Sequence, residues 1–230
     1  MKTILQQLQQ VHDRIAAAAH ACDRLPEQVH LLAVSKTKPI AAIEAAYQGG
    51  QRQFGENYVQ EAIEKIQALS ATHLDIEWHL IGPLQSNKTK VVAEYFAWVQ
   101  TLDRLKIAER LSQQRPAHLA PLQVCLQVNI SREANKSGIL PEEVAALADK
   151  VAQLPQLNLR GLMAIPEATE DTEKLKSQLL ELQQLFDRMA QIYSSLDTLS
   201  VGMSNDLEIA VACGSTLVRV GTAIFGTRPT

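Results

Sequence analysis

Eight short apolar runs recur along the chain, each followed by a stretch with helical spacing, and this alternation limits the fold more than any other feature. The runs are "LLAVSK" (31–36), "QFGEN" (53–57), "EWHLIG" (77–82), "WVQTLD" (98–103), "QVCLQVNI" (123–130), "LRGLMAI" (159–165), "TLSVGMS" (198–204) and "LVRVGTAIFG" (217–226). Helical patterns lie between them at 40–48, 58–69, 105–111, 141–154 and 172–193, the last with Leu175, Leu179, Leu182, Phe186, Met189 and Tyr193 on one face. A further helix over 1–24 precedes the first run, with Ile4, Leu8, Val11, Ile15, Ala18 and Cys22 as its apolar stripe. Strands that alternate with helices pair in parallel through right-handed crossovers. Eight such units in 230 residues predict a single α/β domain, a closed (β/α)8 TIM barrel over 31–226 with an extra N-terminal helix and a short tail at 227–230. An open doubly wound sheet is the rival, but no G-x-G-x-x-G follows the first strand.

Charge and cysteine usage narrow the partner. A formal net charge of −3 offers no concentrated basic field for nucleic acid or a polybasic membrane contact, so a small molecule is the expected ligand. Cys22, Cys125 and Cys213 lie far apart without a C-x-x-C pair, which predicts neither a disulfide framework nor a zinc site and fits a reducing cytoplasm. The opening "MKTILQQLQQVHDR" has no apolar core of a signal peptide, and no later run reaches the length of a membrane span.

In a barrel of this kind the reactive groups sit where strands end and loops begin. Polar residues fall at those places: Lys36, Glu56 with Asn57, His79, Asp103, Asn129, Ser204, and Gly221 with Thr222. Alternation puts Lys36 above Leu32 and Val34, with its stem packed and its amine at the mouth, where partial desolvation leaves free amine suited to a Schiff base. The plainer reading is a lysine that reaches solvent from a strand end. At the far end of the chain, Ser200, Ser204, Gly221 and Thr222 gather on the loops after strands seven and eight, where barrels commonly bind phosphate through unpaired backbone N–H groups. Ordinary turn and cap chemistry is the alternative there, with Asn205 and Glu208 spaced as a capping box. Strand eight closes on strand one, so that group lies one strand from Lys36. Arg219, between Val218 and Val220, points into the barrel and requires a partner: an internal carboxylate, or an uncharged acceptor on a ligand such as a ring nitrogen.

The runs "LLAVSKTKP", "FGENYVQE", "WHLIGPLQSNK", "KSG", "GLMAIP", "LSVGMSNDLEIAV" and "GSTLVRVGTAIFG" together resemble the pyridoxal-phosphate homeostasis proteins, the YggS/PROSC family, in order from near the N-terminus to Gly226. The resemblance implies a barrel like that of alanine racemase and pyridoxal 5′-phosphate as cofactor, held as a Schiff base on Lys36. It further implies a phosphate site at Ser200, Gly202, Ser204, Gly221 and Thr222, with Arg219 beneath the pyridine nitrogen. Asn57 either touches the cofactor or caps a helix with Gln60, the cap being favoured. Met163 packs, with the ring's side of the pocket as a possible neighbour. His79 reads as a structural histidine rather than a metal ligand, and Lys136 as either an anion contact or a solvated loop lysine. The resemblance implies a carrier or buffer of the cofactor without catalytic activity, with apo-enzymes as transient partners. The missing second domain of the racemases removes their usual dimer contact, so a monomer is expected. The alternative is a racemase-like enzyme using the cofactor as an electron sink. That would require a second base on the opposite face, yet Tyr47, Tyr95 and Tyr193 fall in helical segments and Tyr58 matches no known base motif.

Overall fold

A computed structural model describes residues 2–73 and 75–227, so the rest of the expected tail lies outside the described residues. Helix α1 (Ile4–His20) begins at Thr3, whose hydroxyl accepts from the Gln6 N–H while the Gln6 side chain accepts from the Thr3 N–H. This reciprocal cap satisfies two otherwise orphaned donors. Leu8, Val11, Ile15, Ala18 and Ala19 are buried along its inner face.

Eight parallel strands then close on themselves in sequence order. They are β1 (His30–Val34), β2 (Gln53–Glu56), β3 (Glu77–Leu80), β4 (Trp98–Leu102), β5 (Leu122–Val128), β6 (Leu157–Ala164), β7 (Thr198–Ser200) and β8 (Leu217–Val220). The connecting helices are α2 (Ile40–Gln48), α3 (Val59–Leu69), α4 (Thr89–Tyr95), α5 (Leu105–Gln114), α6 (Val144–Val151), α7 (Thr172–Ile192) and α8 (Leu207–Ala212), with a final turn α9 (Thr222–Phe225). The architecture is the TIM barrel that the alternation predicts. Helix α1 packs against α2, α8 and α9, on the side where β1 pairs with β8, Leu32 opposite Arg219. Among the described residues no helix is long and apolar enough to cross a membrane.

The period of two divides the core. Leu31, Ala33, Phe54, Leu80, Val124, Leu126, Leu199, Val218 and Val220 join the helices in one large apolar cluster. Alternate residues turn inward and make two smaller clusters, Leu32 with Ile81, Leu217 and Val34, and Trp98 with Cys125 and Met163. Buried His79, Gln100, Ser200 and Arg219 share that interior. The barrel centre is therefore partly polar, and Arg219, Ser200, Gln100 and His79 Nδ1 are linked by hydrogen bonds there, while His79 Nε2 has no hydrogen-bond partner.

Several boundaries differ from the sequence reading. Strand β1 ends at Val34, so Lys36 stands in the following turn rather than on the strand. Strand β7 stops at Ser200, and the run through Gly221 leaves the sheet after Val220 to form α9. Neither expected capping box forms. The helix after β2 starts at Val59 without a side-chain cap. In the loop before α8 the carboxylate of Asp206 accepts from the Met203 N–H at 2.6 Å, while Glu208 is drawn to Arg14. Tertiary partners outcompete the local cap in the second case.

Candidate functional site

Strand β1 delivers Lys36 to the C-terminal mouth through a tightly specified turn. Ser35 is fully buried, Lys36 half-buried and Thr37 exposed. The Ser35 N–H donates to the Gly55 carbonyl on β2 at 3.0 Å, and the Lys38 N–H returns to the Ser35 carbonyl at 3.0 Å. Thr37 has φ +61°, an uncommon left-handed conformation for a β-branched residue that costs on the order of 1–3 kcal/mol and persists only where its surroundings hold it. Its N–H donates to Glu61 at 2.6 Å. The neighbouring amine is otherwise employed: Lys38 Nζ donates to the carbonyls of Phe225, Gly226 and Thr227 at 2.9–3.1 Å. It secures the C-terminal end of α9.

The second wall comes from the last two strands. Gly202 has φ +101°, and a Cβ there would approach the Ala210 methyl to 2.6 Å, so the loop after β7 depends on glycine. Arg14 of α1 donates to the Ser204 carbonyl at 3.0 Å and pairs with Glu208, which pins that loop from outside. Across the closing seam, a Cβ on Gly221 would meet the Val34 carbonyl at 3.0 Å. The turn after β8 therefore lies directly against the end of β1. Thr222 opens α9 and is exposed, and N–H groups in a first helical turn have no intrahelical acceptor.

Arg219 is buried beneath these turns and, among the described residues, forms no ion pair with a carboxylate. Its Nη1 donates to the Ser200 carbonyl at 2.7 Å and the Ser200 hydroxyl at 2.8 Å, and its Nη2 to the Ala164 carbonyl at 2.9 Å. All three acceptors are uncharged. Burial pushes the guanidinium pKa down to about 10, against a favourable field from Asp206. Ser200 is correspondingly not an open donor at the mouth: its hydroxyl is fully buried and donates to Gln100 Oε1 at 2.6 Å. Gln100 Nε2 lies 2.9 Å from His79 Nδ1. Because the guanidinium only donates, the chain runs in one direction, and the Gln100 amide donates to an unprotonated Nδ1. His79 also stacks on Trp98 at 4.9 Å, and burial lowers its pKa. It is a structural member of the interior, as expected.

The remaining sequence candidates divide. Asn57 follows β2 with a buried Oδ1 that has no hydrogen-bond partner, and buried Glu56 likewise has an unpartnered Oε2. Gly82 is pressed onto Asn57, whose carbonyl would lie 2.1 Å from an added Cβ. Met163 is fully buried against Trp98 and Cys125, so it fills the barrel. Lys136 pairs with Glu133 at 2.6 Å. Sequence reasoning missed Gln100 and Lys65, both buried and both hydrogen-bonded to residues that carry the site. Their strand and helix positions gave no sign of those partners.

At the opposite end, a depression of about 420 Å³ is lined by Arg24, His30, Trp98, Arg160, Asp197 and other polar groups. Its guanidiniums are committed, Arg160 to Asp197 and Gln123, and Arg24 to the carbonyls of Val211, Ser215 and Gln28. The mouth differs in combining an amine, a buried cation without a carboxylate partner, glycine turns and an orphaned Asn57 acceptor. These groups suit a small ligand with an anionic group, a neutral hydrogen-bond acceptor and an electrophilic carbonyl. Pyridoxal phosphate has all three features.

The comparisons agree with that chemistry. The family model described as "Alanine racemase, N-terminal domain" matches residues 7–229. A Vibrio cholerae protein named pyridoxal phosphate homeostasis protein is 53% identical over 230 residues, which cover 99% of this chain and 98% of that protein. The structure of PipY from Synechococcus elongatus with PLP bound aligns with a TM-score of 0.79 at 38% identity, covering 92% of this chain and 100% of PipY. Clostridium difficile alanine racemase shares the fold alone, with a TM-score of 0.74 at 14% identity; the alignment covers 97% of this chain and 57% of the racemase.

Proposed function

The chain belongs to the family of pyridoxal phosphate homeostasis proteins, and from that premise we propose that it binds pyridoxal 5′-phosphate at the barrel mouth and carries or buffers it, with Lys36 as the holding amine. One observation carries this reading: the β1–β8 seam sets Gly221 against Val34, so the lysine turn and the glycine turns share one wall. When bound, pyridoxal phosphate supplies an aldehyde able to condense with a primary amine.

The chain's own residues divide the remaining work. The turns at Gly202, Ser204, Gly221 and Thr222 hold the phosphate by backbone and hydroxyl donors. Ser200 acts one layer down, by fixing Arg219. Arg219 remains charged at neutral pH despite its lowered pKa, offers only donors, and so holds a ring nitrogen as an unprotonated acceptor. Such a nitrogen weakens electron withdrawal from a substrate carbon. The orphaned Oδ1 of Asn57 is left for the ligand side of the mouth.

The protein works as a monomeric carrier in the cytoplasm, without amino-acid turnover, and meets apo-enzymes transiently. Three of the tyrosines that could serve a racemase as its single opposing base are engaged elsewhere. Tyr47 donates to Asp75, Tyr95 accepts from Gln67, and Tyr193 is bonded to Asp149. Tyr58 is exposed after β2.

The test is borohydride reduction of the loaded protein followed by peptide mapping, with donation to an apo-enzyme and amino-acid turnover measured on the same preparation. The adduct is expected on Lys36, with donation and negligible turnover. An adduct mainly on Lys38 or Lys136 overturns the assignment. Robust racemisation abolished by Lys36→Ala overturns the carrier reading in favour of an enzyme.

A further inference from the structure

A buried ion cluster lies immediately behind the turn that presents Lys36. Lys65, on α3, has only 6% of its side chain exposed, and Glu56, at the end of β2, has none. The three N–H bonds of the Lys65 ammonium go to Glu56 Oε1 at 2.8 Å, Glu61 Oε1 at 2.6 Å and the Ser35 carbonyl at 2.8 Å. The two carboxylates reach the same turn. Ser35 Oγ donates to Glu56 Oε1 at 2.6 Å, and the Thr37 N–H donates to Glu61 Oε1 at 2.6 Å. Both residues that flank Lys36 are thus tied to one cluster, Ser35 by its carbonyl and hydroxyl, Thr37 by its amide.

A cluster of this kind is weak evidence for stability, because taking charges out of water offsets much of their attraction and apolar replacements are often tolerated. Its geometry serves another end. Thr37 occupies a left-handed conformation that relaxes unless both sides of the turn are held, and relaxation rotates the residue before it. We infer that Lys65, with Glu56 and Glu61, is a positioning cluster that sets the direction in which Lys36 presents its amine, and so governs how fast the aldehyde is captured. The inference rests on the reading of Lys36 as the holding amine. Capture forms a bond between Lys36 Nζ and the aldehyde carbon. The carbonyl oxygen leaves as water with the two amine hydrogens, C=O becomes C=N, and no electrons are exchanged. A step of that kind depends on approach angle, and displacement of about 1 Å costs on the order of 100-fold.

The experiment uses the full chain and pyridoxal phosphate itself. Capture is followed by the absorbance change and by the yield of reduced adduct on Lys36, for wild type, Lys65→Met and Glu61→Ala. Non-covalent affinity is measured separately for Lys36→Ala with and without Lys65→Met. Lys65→Met is expected to slow capture by roughly 10- to 100-fold, and Glu61→Ala by less, since it removes only the Thr37 and Lys65 contacts of a partly exposed carboxylate. In the Lys36→Ala background, Lys65→Met is expected to leave affinity unchanged within about twofold, because the amine that the cluster aims is gone. Capture at the wild-type rate in Lys65→Met overturns the inference, as does an equal loss of affinity in the Lys36→Ala background, which would mark general damage to the mouth. If Lys65→Met does not fold, capture at the wild-type rate by Glu61→Ala overturns it. Failure of the wild-type protein to form an adduct on Lys36 would instead refute the reading on which the inference rests.

Discussion

The two ends of the barrel each hold an arginine against the interior, and they treat it in opposite ways. At the N-terminal end Arg160 has about a quarter of its side chain exposed, lies over the Trp98 ring with its guanidinium carbon 4.9 Å from the centroid, and is neutralised by Asp197. At the mouth end Arg219 is buried and meets only Ser200 and Ala164 oxygens. Stability alone favours the first arrangement, because a buried cation without a counter-charge pays a desolvation cost of several kcal/mol. On the function proposed above, the second arrangement keeps its charge for a ligand, a tension commonly found where function and stability conflict. The contrast teaches that only the mouth end leaves a buried cation to uncharged acceptors, as the proposed ligand site requires.

Replacing each arginine by methionine breaks or sharpens this contrast. Arg219→Met is expected to have the largest effect, weakening pyridoxal phosphate binding by roughly 10-fold or more while changing the stability of ligand-free protein by no more than about 1 kcal/mol, because relief of the desolvation cost is offset by the hydrogen bonds lost at Ser200 and Ala164. Equilibrium unfolding and fluorescence titration measure the two quantities, and a variant that loses stability as well as affinity would erase the distinction. Arg160→Met is expected to act on stability alone, lowering it by about 1 kcal/mol, discounted for its partial exposure, with ligand affinity unchanged. A change in affinity from that end would show that the two ends communicate.

The smallest effect belongs to His79, between them. Its pKa in the folded protein is lowered below 6.5, chiefly by burial, so the unfolded chain takes up the proton first. Its contribution is whole above pH 6.5 and declines as the pH falls from there towards the folded pKa. At pH 6 the loss is at most about 0.8 kcal/mol. Comparing the pH dependence of unfolding in wild type and His79→Gln measures it, and identical acid limbs would mean that His79 takes up its proton as readily in the folded protein as in the unfolded chain.

Much of this organisation was legible in the chain. The barrel follows from eight apolar runs and their alternation with helical spacing, because periodicity is local. Arg219 could be singled out because a charge between two valines on a buried strand is costly wherever it lies. Its partners could not be read, since Ser200 and Ala164 are brought to it by strand register and by the curvature of a closed sheet. Lys65 is a harder case: within "IEKIQ" it reads as an ordinary polar helix residue, and only the placement of α3 beside β1 and β2 turns it inward. The Asn205 and Glu208 cap failed for the same reason, since Arg14, nearly two hundred residues away in sequence, claims Glu208. Where neighbours along the chain decide the outcome, the sequence is enough; where the barrel chooses the neighbours, it is not.

The pairing of β1 with β8 has a consequence for the order of events as the chain is made. Lys36 emerges early, but the turns at Gly202 and Gly221 follow only near the end, so a growing chain has no complete mouth until its last strand has docked. A molecule gripping both sides of that seam acts as a clasp on the finished barrel and binds incomplete forms poorly. Its concentration then adds stability to closed protein alone, growing with the logarithm of free ligand relative to its Kd. On the function proposed above, supply of the ligand would thereby also set how much of the protein survives in closed form.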